Sequence, residues 1–348
     1  MTATEGDQPL LRAGAAPVAR TLVDVLDATA HEHPDEPALD DGTEVLSYRD
    51  LLAAVDELAG ELVRAGIGPG ARVGVRMSSG CNDLYLAILA VLRVGAAYVP
   101  VDADDPEERA VLVFGEAGVL VTLVDGPKVV RDPHAPTPEG ADPDHDPDPD
   151  APAPDAALPR PGPDDDAWII FTSGSTGVPK GVAVTHRSAA AFVDAEAQLF
   201  LTGGDEPLGP GDRVLAGLSV AFDASCEEMW LAWRSGACLV PAPRSLVRSG
   251  MDLGPWLVSR QITVVSTVPT LAGLWPADSL DQVRLLIFGG EACPPALVDR
   301  VVAPGREVWN TYGPTEATVV ACAAPLRADE PVRIGLPLAG WDLAVVDG

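Results

Sequence analysis

The chain has 348 residues, of which 47% are hydrophobic and 22% are charged, and its formal net charge is −29. This length predicts two or three packed units, because single hydrophobic cores tend to divide beyond roughly 250 to 300 residues. The excess of acidic residues repels polyanions, which excludes nucleic acid and anionic membrane surfaces as partners. The five cysteines stand far apart without a C-x-x-C pair, which predicts free thiols rather than a zinc or dithiol redox site.

The first third of the chain alternates predicted helices and strands. We expect residues 1–20 to be a flexible N-terminus. Residues 21–31 and 47–65 carry apolar side chains at helical spacing, and Ser47 stands in a capping position before the second helix. They are followed by a strand at 71–77, a helix at 84–95 and a strand at 97–102. This β-α-β order predicts a parallel sheet and an α/β fold.

Residues 131–166 differ from the rest of the chain in composition. They contain eleven acidic residues, two basic residues and eleven prolines. Proline interrupts backbone hydrogen bonding and like charges repel, so the segment is predicted to be an extended, disordered, solvated loop. Its Asp-Pro alternation around His145 lacks the glycine-centred spacing of a calcium loop, which argues against a metal site.

The α/β alternation resumes after this loop. A buried strand at 167–173 runs into a glycine-rich stretch, and a helix follows at 186–200. Four further apolar strands are predicted, at 213–220, 237–242, 262–268 and 283–290. Residues 331–348 read as the start of a β-rich subdomain that stops short.

The glycine-rich stretch FTSGSTGVPKG, residues 171–181, has the composition of an anion-binding loop. Glycines allow successive backbone N–H groups to face one concavity, while the hydroxyl residues and Lys180 add donors and a positive charge. It is not a Walker loop, because Pro179 and Gly181 stand where that motif needs glycine and a hydroxyl residue. From composition alone, an ordinary flexible turn is the alternative.

The whole stretch resembles the signature loop of the adenylate-forming superfamily. Four other segments match its nonribosomal peptide synthetase adenylation domains in the expected order: LSYRDL (46–51), AYVPVD (97–102), FDASCEEMW (222–230) and NTYGPTEAT (310–318). Within that branch, the run around residues 221–250 is most similar to epsilon-poly-L-lysine synthetases. The resemblance implies an acyl-CoA synthetase-like N-terminal core of layered αβαβα sheets, with residues 21–330 forming its large subdomains.

The resemblance also implies an ATP site. The phosphate loop and Lys180 would cover the β- and γ-phosphates, Tyr312 would stack on adenine, Asn310 would lie at the adenine edge, and Thr315 would touch phosphate. Glu316 would bind Mg²⁺, and Thr172, Lys180 and Glu316 would be the catalytic residues. The full implied ATP-binding set is Thr172, Ser173, Gly174, Ser175, Thr176, Gly177, Lys180, Gly290, Glu291, Asn310, Thr311, Tyr312, Gly313, Thr315 and Glu316.

The amino acid substrate would be held at two ends. Asp223 matches the family aspartate that accepts the α-ammonium, although an N-cap role for this residue is an alternative. The implied side-chain pocket consists of Asp223, Ala224, Glu227, Ser266, Ile287, Gly289, Thr311, Val319 and Val320. Because Glu227 is the one charged residue among the small or apolar positions beside Asp223, and a buried carboxylate needs a cation, we hypothesise L-lysine, with ornithine and diaminobutyrate as shorter competitors.

The sequence leaves open which glutamate faces the pocket and which function the chain serves. Glu228 rather than Glu227 could face the pocket, since adjacent helical residues point about 100 degrees apart. Family members continue into a C-terminal lid that carries a catalytic lysine and serves a pantetheine-bearing carrier protein; the lid is absent here, so we expect weak activity at most. An acyl- or aryl-CoA ligase and a non-catalytic module are the competing functions.

We expect a soluble, cytoplasmic fragment, whereas full-length polylysine-type relatives are membrane-associated.

Overall fold

The architecture is taken from a computed structural model that describes residues 10–131, 158–172, 179–203 and 206–346. The first described range contains seven strands and four helices: β1 (Leu10–Arg12), α1 (Leu22–Glu32), β2 (Pro37–Asp40), β3 (Val45–Ser47), α2 (Tyr48–Arg64), β4 (Arg72–Val75), α3 (Asn82–Arg93), β5 (Ala97–Pro100), α4 (Glu107–Ala117), β6 (Val121–Val124) and β7 (Lys128–Arg131).

The remaining ranges continue the alternation with β8 (Asp166–Thr172), β9 (Lys180–Thr185), α5 (His186–Glu196), β10 (Arg213–Ala216), α6 (Ala224–Ser235), β11 (Cys238–Pro241), α7 (Arg244–Ser249), α8 (Leu253–Ser259), β12 (Val264–Thr267), α9 (Pro269–Ala272), β13 (Leu285–Phe288), α10 (Pro295–Val301), β14 (Glu307–Tyr312), β15 (Cys322–Pro325), β16 (Leu336–Pro337) and β17 (Asp342–Ala344). Two short 3₁₀ helices, Ala277–Leu280 and Thr315–Ala317, lie in the same part of the chain.

Local sequence signals account for where the first two helices begin. Thr21 and Ser47 are the N-cap residues of α1 and α2, and each forms a capping box with the aspartate three residues on, Asp24 and Asp50. Each box satisfies two backbone N–H donors, those of the N-cap residue and of the aspartate, that a helix start otherwise leaves unpaired. The predicted capping role of Ser47 is therefore confirmed.

Two large sheets form the frame. One has six strands in the order β7-β6-β4-β5-β8-β9, and the other has nine in the order β16-β15-β14-β13-β12-β10-β11-β2-β3. The central pairs are parallel, while antiparallel pairs close the edges. The predicted α/β fold with a parallel sheet is confirmed, with mixed rather than purely parallel sheets.

The layers follow from the distribution of buried side chains. The largest apolar cluster contains side chains of α1, α2, α3, α5 and α6 together with residues from both sheets, so these helices pack between the sheets. A second cluster joins α7, α8 and α10 to the outer face of the nine-stranded sheet, and a third joins α4 to the outer face of the six-stranded sheet. These are the five αβαβα layers that the resemblance implied.

The chain ends differ from the sequence-based expectation. Part of the segment expected to be flexible, Leu10–Arg12, forms β1 and pairs antiparallel with β17. This expectation was wrong for β1, because a short local sequence carries no sign of a pairing partner more than 300 residues away. Leu336–Pro337 joins the edge of the nine-stranded sheet through β15 rather than beginning a separate sheet.

The acidic loop is shorter at its C-terminal end than the composition predicts. Arg160 pairs with Asp24 and Asp27 of α1, the Asp165 carboxylate accepts the Gly162 N–H, and β8 begins at Asp166. Residues 132–157, which carry most of the predicted loop, lie outside the described residues. All five cysteines are free thiols, as expected. Across the described ranges, the longest helices are too short or too polar to cross a membrane.

Candidate active site

The glycine-rich stretch connects two paired strands. Thr172 at the end of β8 stands opposite Lys180 at the start of β9 in an antiparallel register. The predicted phosphate-loop residues between them, Ser173, Gly174, Ser175, Thr176 and Gly177, lie outside the described residues. The Lys180 side chain is exposed, and β9 packs near the 3₁₀ helix Thr315–Ala317. Thr172, Lys180 and Glu316 therefore lie in one region of the molecule.

The predicted side-chain pocket gathers at the carboxyl ends of three neighbouring parallel strands. Ser266 of β12 is in register with Ile287 of β13, and Phe288 is in register with Asn310 of β14. Side chains alternate between the faces of a strand, so Ser266 and Ile287 share the face toward α5 and α6. Ile287, Val319 and Val320 belong to the same apolar cluster. In α/β sheets this edge is where ligands bind.

Helix α6 contributes the acidic residues of the pocket. Asp223 occupies the N-cap position, but its side chain makes no capping hydrogen bond. Its Oδ2 is buried and has no hydrogen-bond partner among the described residues. Burial raises the Asp223 pKa, a hydrogen bond with Thr315 lowers it, and the charge of Glu316 raises it again. The Asp223 carboxylate therefore keeps one buried oxygen free to accept a hydrogen bond.

Glu227 lies four residues after Asp223, which places it one turn along the same face of α6. Its side chain is buried, with 3% exposure, and Ser266 Oγ donates a hydrogen bond to its Oε2. Burial raises the Glu227 pKa, while hydrogen bonds from Glu196 and Ser266 lower it and the charge of Asp223 raises it. The two carboxyl groups therefore stand on the same face of α6, one turn apart.

Glu196, the last residue of α5, completes a group that the sequence did not predict. It is 2% exposed and makes a side-chain hydrogen bond with Glu227. Burial raises its pKa well above the usual range, and the Glu227 charge raises it further. The described residues include every lysine and arginine of the chain, and none of them pairs with Glu196 or Glu227. A lone Glu in a predicted amphipathic helix gave no signal of this role.

The neighbouring Glu228 is also buried, at 1% exposure, but it points elsewhere. Its Oε1 accepts the Gly217 N–H at 3.0 Å and its Oε2 accepts the Leu218 N–H at 3.1 Å, just after β10. Burial raises the pKa of Glu228, and these backbone donors lower it. The two adjacent glutamates thus have separate surroundings, as the rotation of about 100 degrees between helical neighbours requires.

The predicted nucleotide-binding residues lie on and after β14. Tyr312 is 52% exposed, whereas Asn310 and Thr311 are buried. Asn310 Nδ2 donates to the Arg333 carbonyl at 2.8 Å, and its Oδ1 has no partner among the described residues. Thr311 Oγ1 donates to the Phe288 carbonyl at 3.2 Å. Tyr312 therefore presents a free aromatic face beside a buried free acceptor.

The chain after Tyr312 is tightly folded against itself. A Cβ added to Gly313 would lie 2.5 Å from the Val319 carbonyl oxygen, so a side chain cannot fit there. Thr318 and Val319 have φ angles of 65° and 63°. Positive φ is costly for β-branched residues and persists where the surrounding structure imposes it, commonly at functional sites. This strained turn holds Val319 and Val320 against the pocket.

Two predicted residues, Gly290 and Glu291, follow β13 on the exposed side of the site. Gly290 has a φ of 74°, which suits glycine. The Glu291 carboxylate accepts hydrogen bonds from the backbone N–H (3.2 Å) and side-chain hydroxyl of Thr270. Glu291 is therefore already hydrogen-bonded to helix α9. Ala224 and Gly289 are half-buried at the pocket entrance.

Glu316 is exposed on the 3₁₀ helix, near Asp223. No group of three metal-ligating side chains is present within the described ranges.

Comparisons with known proteins agree with this arrangement. The sequence signature of the family described as "AMP-binding enzyme" matches residues 26–348, so the chain belongs to that family. Among curated proteins, a delta-poly-L-ornithine synthetase of Acinetobacter baumannii is 36% identical over 94% of this chain and 24% of its own length. The phosphinothricin tripeptide synthetase PhsC of Streptomyces viridochromogenes is 35% identical over 94% of this chain and 30% of its own length. This chain thus spans less than a third of either relative.

Solved structures show the same fold. The nonribosomal peptide synthetase FmoA3 matches with a TM-score of 0.77 and 28% identity over 94% of this chain and 35% of that one. The N-terminal subdomain of Klebsiella oxytoca NpsA matches with a TM-score of 0.75 and 24% identity over 92% of this chain and 79% of that one. The fold is that of an N-terminal adenylation subdomain.

Proposed function

We propose that this chain is the N-terminal part of an adenylation domain that activates a diamino acid, L-lysine, for nonribosomal poly(amino acid) synthesis. In the reaction, a carboxylate oxygen of the amino acid bonds to the α-phosphorus of ATP. The bond between that phosphorus and the bridging oxygen breaks, and pyrophosphate leaves. The products are lysyl-AMP and pyrophosphate.

The observation that carries the proposal is the pair of unneutralised carboxyl groups on one face of α6. Asp223 and Glu227 are four residues apart, which corresponds to about 6 Å along a helix. An extended lysine side chain places its ε-nitrogen roughly 6 Å from Cα by standard bond lengths. Asp223 would hold the α-ammonium and Glu227 the ε-ammonium, with the stem against Ile287 and Val319. Ornithine is one methylene shorter and would reach Glu227 less well.

Relatives support the substrate class. A relative named for poly-L-ornithine synthesis is itself a synthetase of a polymer of a diamino acid. One form of FmoA3 is described as bound to AMPPNP, and another, with a TM-score of 0.77, as bound to alpha-methyl-L-serine-AMP. Both kinds of ligand are what the proposal expects in this cleft: an ATP analogue and an aminoacyl adenylate.

The residues of this chain would act mainly by positioning and by stabilising charge. The exposed Tyr312 ring is available to stack on adenine, and the free Oδ1 of Asn310 is available to accept from the exocyclic amine. Thr172, residues 173–177 and Lys180 would bind the β- and γ-phosphates, with Thr315 beside them. Bound Mg²⁺, held by Glu316, would neutralise phosphate charge. A pantetheine-bearing carrier domain would accept the aminoacyl group in the whole synthetase.

Calorimetry with non-hydrolysable aminoacyl adenylate analogues tests this proposal directly on the 348-residue chain. The lysyl analogue is expected to bind more tightly than ornithyl and diaminobutyryl analogues, and far more tightly than the neutral norleucyl analogue. ATP–pyrophosphate exchange with the free amino acids provides the catalytic readout. Absence of binding by every analogue would refute adenylation, and preference for a neutral or aryl analogue would refute the diamino acid assignment.

A further inference from the structure

Glu196 and Glu227 together offer more hydrogen-bond acceptors than one glutamate would. When both groups are counted as carboxylates, Oε1 of Glu196 and Oε1 of Glu227 have no donor among the described residues. Ser266 Oγ donates to Oε2 of Glu227 and keeps lone pairs free to accept. Side chains of three elements, α5, α6 and β12, therefore form one buried hydrogen-bonded group that has acceptors to spare.

A primary ammonium matches this set in number and in charge. It has three N–H donors and no acceptor. Two buried carboxyl groups in contact do not both ionise readily, because like charges repel strongly when desolvated. If one proton is shared, the pair carries a single negative charge. One positive charge then neutralises it without leaving an unpaired charge in the core.

We infer that Glu196 is a specificity-determining residue which, with Glu227 and Ser266, forms a single-charge, three-acceptor site for the terminal ammonium of the substrate. The inference rests on the proposed function and adds a residue on a different helix to the pocket. Glu196 holds the shared proton and donates it in a hydrogen bond to Glu227, because Glu227 is the carboxylate that also accepts from Ser266 Oγ, and that hydrogen bond favours its charged form. The carboxyl oxygen of Glu196 that does not carry the proton remains free to accept from the ligand.

Glu196 also borders a cavity of about 930 Å³ that lies beyond the pocket, between the C-terminal ends of α5 and α6 and residues 206–212. Arg234 and Arg284 on its wall are paired with Asp194 and Asp212, at 2.8 and 2.7 Å. These arginines are therefore already neutralised by other partners. Glu196 contacts Glu227 rather than these cations, which favours a ligand on the pocket side.

The test compares Glu196→Gln, Glu196→Leu and the wild type, using calorimetry with the lysyl and norleucyl adenylate analogues. Glutamine reproduces a protonated glutamic acid, with an N–H donor and one acceptor oxygen, so the lysyl:norleucyl affinity ratio should stay within about threefold. Leucine removes both the donor and the acceptor. The lysyl:norleucyl affinity ratio should therefore fall by about 30-fold, which is the size of effect expected when a hydrogen bond to a charged group is lost. Glu108→Gln, on exposed α4, is the matched control and should leave the ratio unchanged.

Each result has a defined consequence. An unchanged ratio in Glu196→Leu would overturn the inference, because Glu196 would then serve only packing or the adjoining cavity. A fall in the lysyl:norleucyl affinity ratio for Glu196→Gln as large as the fall for Glu227→Gln would also overturn the inference, because both carboxylate charges would then be required. Infrared difference spectra of wild type minus Glu196→Gln should show a protonated carboxyl band. If no analogue binds even the wild type, the proposed function fails instead, so the two failures are distinguishable.

Discussion

The adjacent glutamates of α6 allow one substitution to be tested against its nearest neighbour. Glu227→Gln removes the negative charge from the pocket but keeps the size of the side chain. Truncating one partner of a buried charge pair costs about 2–5 kcal/mol, which is about 30-fold or more in affinity. The substitution should therefore weaken binding of the lysyl adenylate analogue by at least about 30-fold. Binding of the norleucyl analogue should change little.

Glu227→Gln should lower affinity for the lysyl analogue without lowering the free energy of unfolding. Glu227 is buried, burial raises its pKa, and no basic side chain of the described residues neutralises it. A neutral glutamine removes the cost of burying that group, so the free energy of unfolding should stay level or rise by about 1 kcal/mol. Glu228→Gln is the matched control. It weakens the acceptor of the Gly217 and Leu218 N–H groups and should lower stability by about 1–3 kcal/mol.

Paired measurements decide the outcome. Calorimetry with the two analogues gives the affinity ratio, and urea unfolding gives the free energy of unfolding. We expect Glu227→Gln to change selectivity without loss of stability, and Glu228→Gln to lose stability without a change in selectivity. If Glu227→Gln retained the lysyl preference, or if Glu228→Gln abolished it in folded protein, the assignment of the pocket carboxylate would be wrong.

Three further predictions concern other parts of the site. Tyr312→Ala should weaken ATP binding by about tenfold through lost stacking, whereas Phe222→Ala, similarly exposed, should not; equal effects would remove Tyr312 from the adenine site. Gly313→Ala should destabilise the fold by about 2 kcal/mol or more in urea unfolding, because its Cβ would meet the Val319 carbonyl at 2.5 Å; wild-type stability would contradict this packing. Burial lowers the His186 pKa from 6.5 to about 4, so the unfolded chain binds this proton first and stability should fall by up to about 3 kcal/mol between pH 6.5 and 4. His186→Gln should remove that part of the pH dependence, and an unchanged slope would exclude His186 as its source.

Much of the fold could be read from the chain in order. The capping boxes at Thr21 and Ser47 are complete within four residues, so the starts of α1 and α2 are local properties. The buried strands β8, β12 and β13 appear as short apolar runs, and their alternation with helices gives the parallel sheets. β1 was missed because its partner, β17, lies at the other end of the chain and only pairing defines it.

The sequence by itself therefore determined the class of fold and the order of its elements, because periodicity and motif spacing are carried by neighbouring residues. It could not decide which of two adjacent glutamates contacts Ser266, nor show that Glu196 contacts Glu227. That choice depends on the rotation of α6 against β12 and on the packing of α5 beside it. Only the tertiary structure brings residues 196, 227 and 266 together, since burial of the helix faces, not local sequence, fixes those contacts.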